Sequence, residues 1–224
     1  MPLMTTKRLR IQPKPDLFDR ISTLRIIPVV SLPNIEHAAP LAESLLEGGL
    51  PCAEITFRTE AAAPAIRELT KRFPDLLVGA GTVLSTSDAD RAIDAGAQFI
   101  VAPGANPHVI DHCISRQVTI FPGVMTPTEV ELVLSHGMNI MKFFPAEAAG
   151  GTKLLKALTA PYSNVHFIPT GGIDATNLLD YLAIPAVLAC GGSWMVKSEW
   201  LVNGEFDKVR DVAREAVQLA ATKT

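Results

Sequence analysis

Eight short apolar runs rich in β-formers recur along these 224 residues, at 24–30, 53–57, 76–80, 98–102, 118–121, 139–144, 165–169 and 186–190. Stretches of helical periodicity separate them, at 35–47, 60–73, 86–95, 107–115, 127–136, 151–158 and 177–183, with a last one at 206–221. A strand followed by a helix, repeated eight times, pairs its strands in parallel, because each crossover returns the chain to the same end of the sheet. Eight equivalent crossovers close most simply as a (β/α)8 TIM barrel of the α/β class. An open doubly wound sheet normally carries Gly-x-Gly-x-x-Gly after its first strand. Here Ser31-Leu32-Pro33-Asn34 stands in that place, which favours the barrel.

Local signals agree with the alternation. Gly48, Gly49 and Gly96 follow helical stretches, while Ser85 and Thr126 are placed to cap helices, with Pro127 at a first helical position. A chain 48% hydrophobic and 19% charged can fill one large core at this length. The expected organisation is therefore a single domain over 16–224 after a loosely held N-terminal extension, 1–15, in which Lys7, Arg8 and Arg10 cluster. The net charge of -3 gives no electrostatic reason for nucleic acid or anionic membrane as a partner. The start lacks the apolar core of a signal peptide, and no later run has bilayer-spanning length. A soluble, cytoplasmic protein is expected.

Cys52, Cys113 and Cys190 are odd in number and far apart, which supports neither a disulfide framework nor a Cys-x-x-Cys site. His108 and His112 stand four apart beside Cys113, but a polar helix surface accounts for them and no metal is expected.

The chemistry-bearing residues fall on the strand-like runs. Lys142 alone among nine lysines lies inside an apolar one, Met138-Asn139-Ile140-Met141-Lys142-Phe143-Phe144-Pro145-Ala146. Burial disfavours an ammonium, so the group must be paired, neutralised or used; a neutral amine in an apolar pocket can attack a ketone to form a Schiff base. In the second run, Glu54, Thr56 and Arg58 alternate with Ala53, Ile55 and Phe57, so three polar side chains share one face. Two plainer readings stay open: Glu54 with Arg58 as a buried ion pair, and Lys142 reaching out through the barrel's end. The seventh and eighth runs lead into Gly171-Gly172 and Gly191-Gly192-Ser193. Phosphate-binding barrels hold their anion after those strands, with backbone N–H groups and helix starts.

Taken in order, Ala53-Glu54-Ile55-Thr56-Phe57-Arg58-Thr59-Glu60, Gly79-Ala80-Gly81-Thr82-Val83-Leu84, Lys142-Phe143-Phe144-Pro145-Ala146-Glu147, Pro169-Thr170-Gly171-Gly172 and Gly191-Gly192-Ser193 resemble the 2-dehydro-3-deoxy-6-phosphogluconate (KDPG) and 4-hydroxy-2-oxoglutarate (KHG) aldolases, from about Asp16 to Ala220. The resemblance implies a class I aldolase needing no metal or other cofactor, assembled as a homotrimer of (β/α)8 barrels and acting on a small phosphorylated 2-keto-3-deoxy sugar acid. It implies Lys142 as the Schiff-base lysine and Glu54 as general acid/base. Arg58, Thr82, Pro103, Phe144 and Thr170 then surround the pyruvyl half, with Gly171, Gly172, Gly191, Gly192 and Ser193 at the phosphate. Relatives acting on the galactonate epimer carry an arginine where this chain has Ser31 and lack one at position 58, so the gluconate substrate is expected. Two other readings compete: a barrel isomerase or epimerase of a sugar phosphate, which needs no imine, and a non-catalytic phosphosugar-binding protein.

Overall fold

A computed structural model describes residues 15–222, so Lys7, Arg8, Arg10 and all of the expected extension except Pro15 lie outside the described residues. Nine strand segments form within them: β1 (Ile26–Val30), β2 (Cys52–Thr56), β3 (Leu77–Gly81), β4 (Phe99–Val101), β5 (Thr119–Phe121), β6 (Gly123–Val124), β7 (Ile140–Phe143), β8 (His166–Pro169) and β9 (Cys190–Gly192). Their ladders are parallel, in a six-stranded sheet β5-β4-β3-β2-β1-β9 and a three-stranded sheet β6-β7-β8.

The expected alternation is present, but the hydrogen bonding divides where a single closed ladder was anticipated. Pro122 separates β5 from β6; a proline has no N–H to donate and interrupts a ladder. Isolated parallel bridges, Phe167 with Val187 and Thr170 with Gly191, link the two sheets near β8 and β9. The result is an α/β fold whose parallel sheet curls into a half-barrel.

Side-chain alternation sorts the strands into two apolar layers. Outward-facing residues such as Ile55, Val78, Ile100, Met141 and Phe167 pack beneath the helices. Inward-facing Ile27, Cys52, Leu77, Phe99, Phe121, Ile140 and Ile168 gather into a second cluster near the strands' N-terminal ends. The helix Pro15–Leu24 inserts Leu17 and Ile21 into that cluster. This helix was not expected: the reading ended the extension at residue 15 and began the first strand at Leu24, because ten residues without a capping signal were too short to stand out. Fully burying each of the two side chains contributes about 1.5–3 kcal/mol.

Helix starts follow the cap residues. Ser85 accepts the Asp88 N–H at 3.0 Å, and Thr126 forms a reciprocal capping box with Glu129 ahead of Pro127. The last strand, by contrast, sits later than expected. Residues 186–188 reach β8 through an isolated bridge to Phe167 and form no named strand, and Cys190–Gly192 is the segment that pairs with Ile26–Pro28 of β1.

All three cysteines are free and buried, and burial pushes the Cys113 thiol up to about 12, so none is poised as a nucleophile. His112 Nε2 lies 2.9 Å from Asp90 Oδ1, within a surface network that includes Arg116. Among the described residues, no helix is long and apolar enough to cross a membrane.

Candidate active site

Two charged side chains occupy the interior directly above the apolar cluster. Along β2, Cys52, Glu54 and Thr56 share one face, and along β7, Ile140 and Lys142 do the same. Cys52 and Ile140 belong to the interior cluster, so Glu54 and Lys142, two residues farther along, point into the same space. Although β2 and β7 lie in different sheets, Lys142 Nζ is 3.6 Å from Glu54 Oε1, with the side chains 7% and 3% exposed. The curl of the sheet makes this contact. Of the plainer readings, the Glu54–Arg58 pair does not form, and Lys142 stays inside.

Glu54 Oε1 is buried without a hydrogen-bond partner among the described residues, and 3.6 Å is too long for one from Lys142. The carboxylate is thus attracted to the ammonium while keeping an open acceptor position. Desolvating two charges costs on the order of several kcal/mol each, which makes such a pair a poor device for stability alone. The Phe144 ring lies under the amine, its centroid 5.0 Å from Nζ. Thr56 is tied down by its hydroxyl donating to the Val30 carbonyl at 2.9 Å.

Space for the Glu54 carboxylate is left by Gly81 on β3. A Cβ there would collide with it and come within 2.7 Å of its Cγ. Gly81→Ala is expected to lower stability by about 1–3 kcal/mol and to cut kcat by roughly tenfold or more through displacement of the carboxylate. Thermal melts and kcat on the same variant test this; normal kcat would mean that Gly81 does not set the position of Glu54.

Lys142 opens into a cavity of roughly 630 Å³ at the C-terminal ends of the strands. Arg58, Phe144 and Thr170 also line it, as do Gly171, Gly172, Gly192 and Ser193. Arg58 lies just beyond β2, exposed, with no ion-pair or hydrogen-bond partner among the described residues. Glu54 is outside the lining, buried behind the wall against Lys142. Thr82 and Pro103 follow β3 and β4, half-buried and outside the lining. Gly191 is also outside it, paired in β9 and abutting Thr170.

The two glycine pairs differ in kind. Gly171 and Gly172 form a turn with φ of 103° and 78°, values that favour glycine. Asn177 braces this turn, donating to the Gly172 carbonyl at 2.9 Å and accepting the Asp174 N–H at 3.0 Å. Gly191 and Gly192 are instead extended strand residues, kept small because the Thr170 side chain and the Trp194 ring occupy the places of their Cβ atoms. The backbone N–H groups of Gly172, Ile173 and Ser193 find no backbone acceptor among the described residues and remain free for an anion.

Trp194, Lys197, Asp174 and Glu199 also line the cavity and were missed by the sequence reading. The available signal was Lys197, a cation four residues after Ser193 at the start of the short helix Ser198–Val202. Its Nζ lies 4.9 Å from the Trp200 ring centroid. Asp174 is held below the usual carboxylate range by hydrogen bonds from the Thr176 hydroxyl and N–H, so its charge is spent within its own turn.

The arrangement places an amine, a carboxylate, a free guanidinium and a loop of unpaired N–H groups around one cavity. The family model for KDPG and KHG aldolase matches residues 17–212. A 2-dehydro-3-deoxy-phosphogluconate aldolase of Treponema pallidum is 47% identical over 203 residues, 91% of this chain and 97% of the relative. The KHG/KDPG aldolase of Escherichia coli K12 is 42% identical over 88% of this chain and 93% of its own length. Among solved structures, the KDPG aldolase of Legionella pneumophila, with pyruvate captured at low pH as a covalent carbinolamine intermediate, superposes with a TM-score of 0.87 at 36% identity. The match covers 93% of this chain and 99% of that one. The resemblance read from the motifs is borne out along nearly the whole length, and the chain belongs to the KDPG and KHG aldolase family.

Proposed function

We propose that Lys142 and Glu54 carry out the class I aldol cleavage of KDPG to pyruvate and D-glyceraldehyde 3-phosphate. The observation that carries this assignment is the buried Lys142–Glu54 contact at the cavity wall, 3.6 Å across, with a free acceptor position on the carboxylate. Lys142 Nζ attacks the C2 ketone, and Glu54 relays protons while the carbinolamine loses water to give a protonated imine. Glu54 then removes the C4 hydroxyl proton, the C3–C4 bond breaks, and its electron pair flows into the imine to leave an enamine as the aldehyde departs. Protonation at C3 and addition of water release pyruvate and restore the amine.

The remaining roles follow the substrate's two ends. Arg58, unpaired at the cavity wall, is suited to grip the substrate carboxylate in bidentate fashion, with Phe144 and Thr170 beside the pyruvyl half and Thr82 and Pro103 flanking it from neighbouring strand ends. The phosphate end falls to Gly171, Gly172, Gly192 and Ser193, with Gly191 acting from behind through Thr170. Ser31 lines the cavity and leaves it without the arginine of galactonate-type relatives, which favours the gluconate epimer. The shorter 4-hydroxy-2-oxoglutarate shares the pyruvyl half and would yield glyoxylate.

Closure into a full (β/α)8 barrel is supported by the single residue, Pro122, between β5 and β6, and by the two bridges linking β8 toward β9. The interior cluster, which draws on both sheets, supports it as well. Homotrimeric assembly and a cytoplasmic location rest on family membership.

Two measurements test the proposal. Pyruvate release by the purified protein, coupled to a pyruvate-consuming indicator enzyme, should be observed with KDPG and compared with 4-hydroxy-2-oxoglutarate. Interconversion of sugar phosphates without pyruvate would favour the isomerase reading, and binding without turnover the non-catalytic one. For the phosphate end, Ser193→Ala should raise KM for KDPG by roughly two- to tenfold with little change in kcat. Gly172→Val, forced into a φ of 78°, should do more. If pyruvate imine formation falls in step with KDPG cleavage, these loops shape the catalytic end instead.

A further inference from the structure

Glu147 follows the catalytic strand by four residues, and its carboxylate is the hydrogen-bond acceptor for the hydroxyl of fully buried Tyr181. Its backbone joins the two loops: Glu147 N–H donates to the Gly171 carbonyl at 3.0 Å, and Ala146 N–H to the Thr170 carbonyl at 2.8 Å. Its side chain lies against Gly172, where an added Cβ would stand 2.7 Å from Glu147 Cβ. On the other side, Gly151, at a φ of 62°, lets the carboxylate close in, a Cβ there standing 3.2 Å from Glu147 Oε1 and 3.6 Å from the Tyr181 hydroxyl. Two left-handed glycines thus flank one side chain that spans from the lysine-bearing strand to the turn at the cavity's phosphate end. Burial, followed by the hydrogen bond to Glu147, raises the Tyr181 hydroxyl well above its ordinary range, so it stays a donor at any working pH.

We infer that Glu147, anchored by Tyr181, is a positioning residue that holds the Gly171–Gly172 turn in the conformation that receives the substrate's phosphate. This rests on the phosphate end proposed above. A residue that shapes only the far end of the ligand affects binding of a phosphorylated substrate and leaves imine chemistry on pyruvate alone, whereas a merely structural contact moves both or neither.

Tyr181→Phe removes one oxygen and keeps the buried ring. It should raise KM for KDPG by roughly three- to tenfold, the worth of one hydrogen bond, with kcat within about twofold. The rate of borohydride trapping of pyruvate on Lys142 should match the parent enzyme. Glu147→Ala should show the same split more strongly, and Glu147→Gln, which still accepts the hydroxyl, should restore KM. An unchanged KM in Tyr181→Phe, or parallel loss of KDPG cleavage and pyruvate trapping, would overturn the inference. Absence of KDPG cleavage in the parent enzyme would instead defeat the aldolase assignment, so the two failures are distinguishable.

Discussion

Incubation with pyruvate and borohydride should add a single 1-carboxyethyl group to the chain, and peptide mapping should place it at Lys142. Reduction traps an imine only where an amine is free of its proton and close to the carbonyl. Lys142 is buried beside a carboxylate at the cavity wall, while Lys153 and Lys156 are exposed on a helix and do not line that cavity. Lys142→Ala removes the covalent route altogether, so cleavage of KDPG should fall by roughly four orders of magnitude or more, leaving what binding and electrostatics alone supply. The substitution also leaves Glu54 buried without its cation, so a melting curve belongs with the kinetics. Modification of Lys153 or Lys156, or persistent cleavage by a folded Lys142→Ala protein, would remove Lys142 from the mechanism.

Glu54→Gln is expected to cost roughly a hundredfold or more in turnover. The amide keeps the volume that Gly81 leaves open and can still hydrogen-bond, but it cannot accept the C4 hydroxyl proton or return one to the enamine. Because Glu54 Oε1 has no hydrogen-bond partner among the described residues, the substitution breaks no network there; the ion contact with Lys142 is what it loses. Turnover and circular dichroism measured together decide the matter. Near-normal turnover would refute proton relay by Glu54, and loss of the fold would return it to a structural ion pair.

The strand and helix pattern was legible because each element announces itself locally. Caps at Ser85 and Thr126, glycines after helices, and a period of two in β2 and β7 are properties of neighbouring residues. The last strand was misplaced by several residues for the same local reason: Gly191 and Gly192 have no β-forming side chains, and only the Thr170 and Trp194 groups that fill their Cβ positions explain why glycines serve as strand there. The helix Pro15–Leu24 was missed because its apolar face has meaning only against the interior it seals. Lys197, Trp194, Asp174 and Glu199 were missed because reaching a cavity wall depends on how the segment after β9 folds back.

By itself, the sequence determined which residues alternate, where helices start, and that Glu54 and Lys142 stand on strand faces able to carry chemistry; Arg58, read onto the same face as Glu54, falls in the turn just past β2. It left open whether Glu54 would pair with Arg58, four residues away, or with Lys142, eighty-eight positions along. The tertiary structure decided that. Parallel register sets how far along each strand a residue stands, and the curl of the sheet decides which strands face one another. Neither property belongs to any local stretch of chain. The same long-range geometry turned one glycine pair into a left-handed loop and the other into a strand, though the two read alike in the sequence.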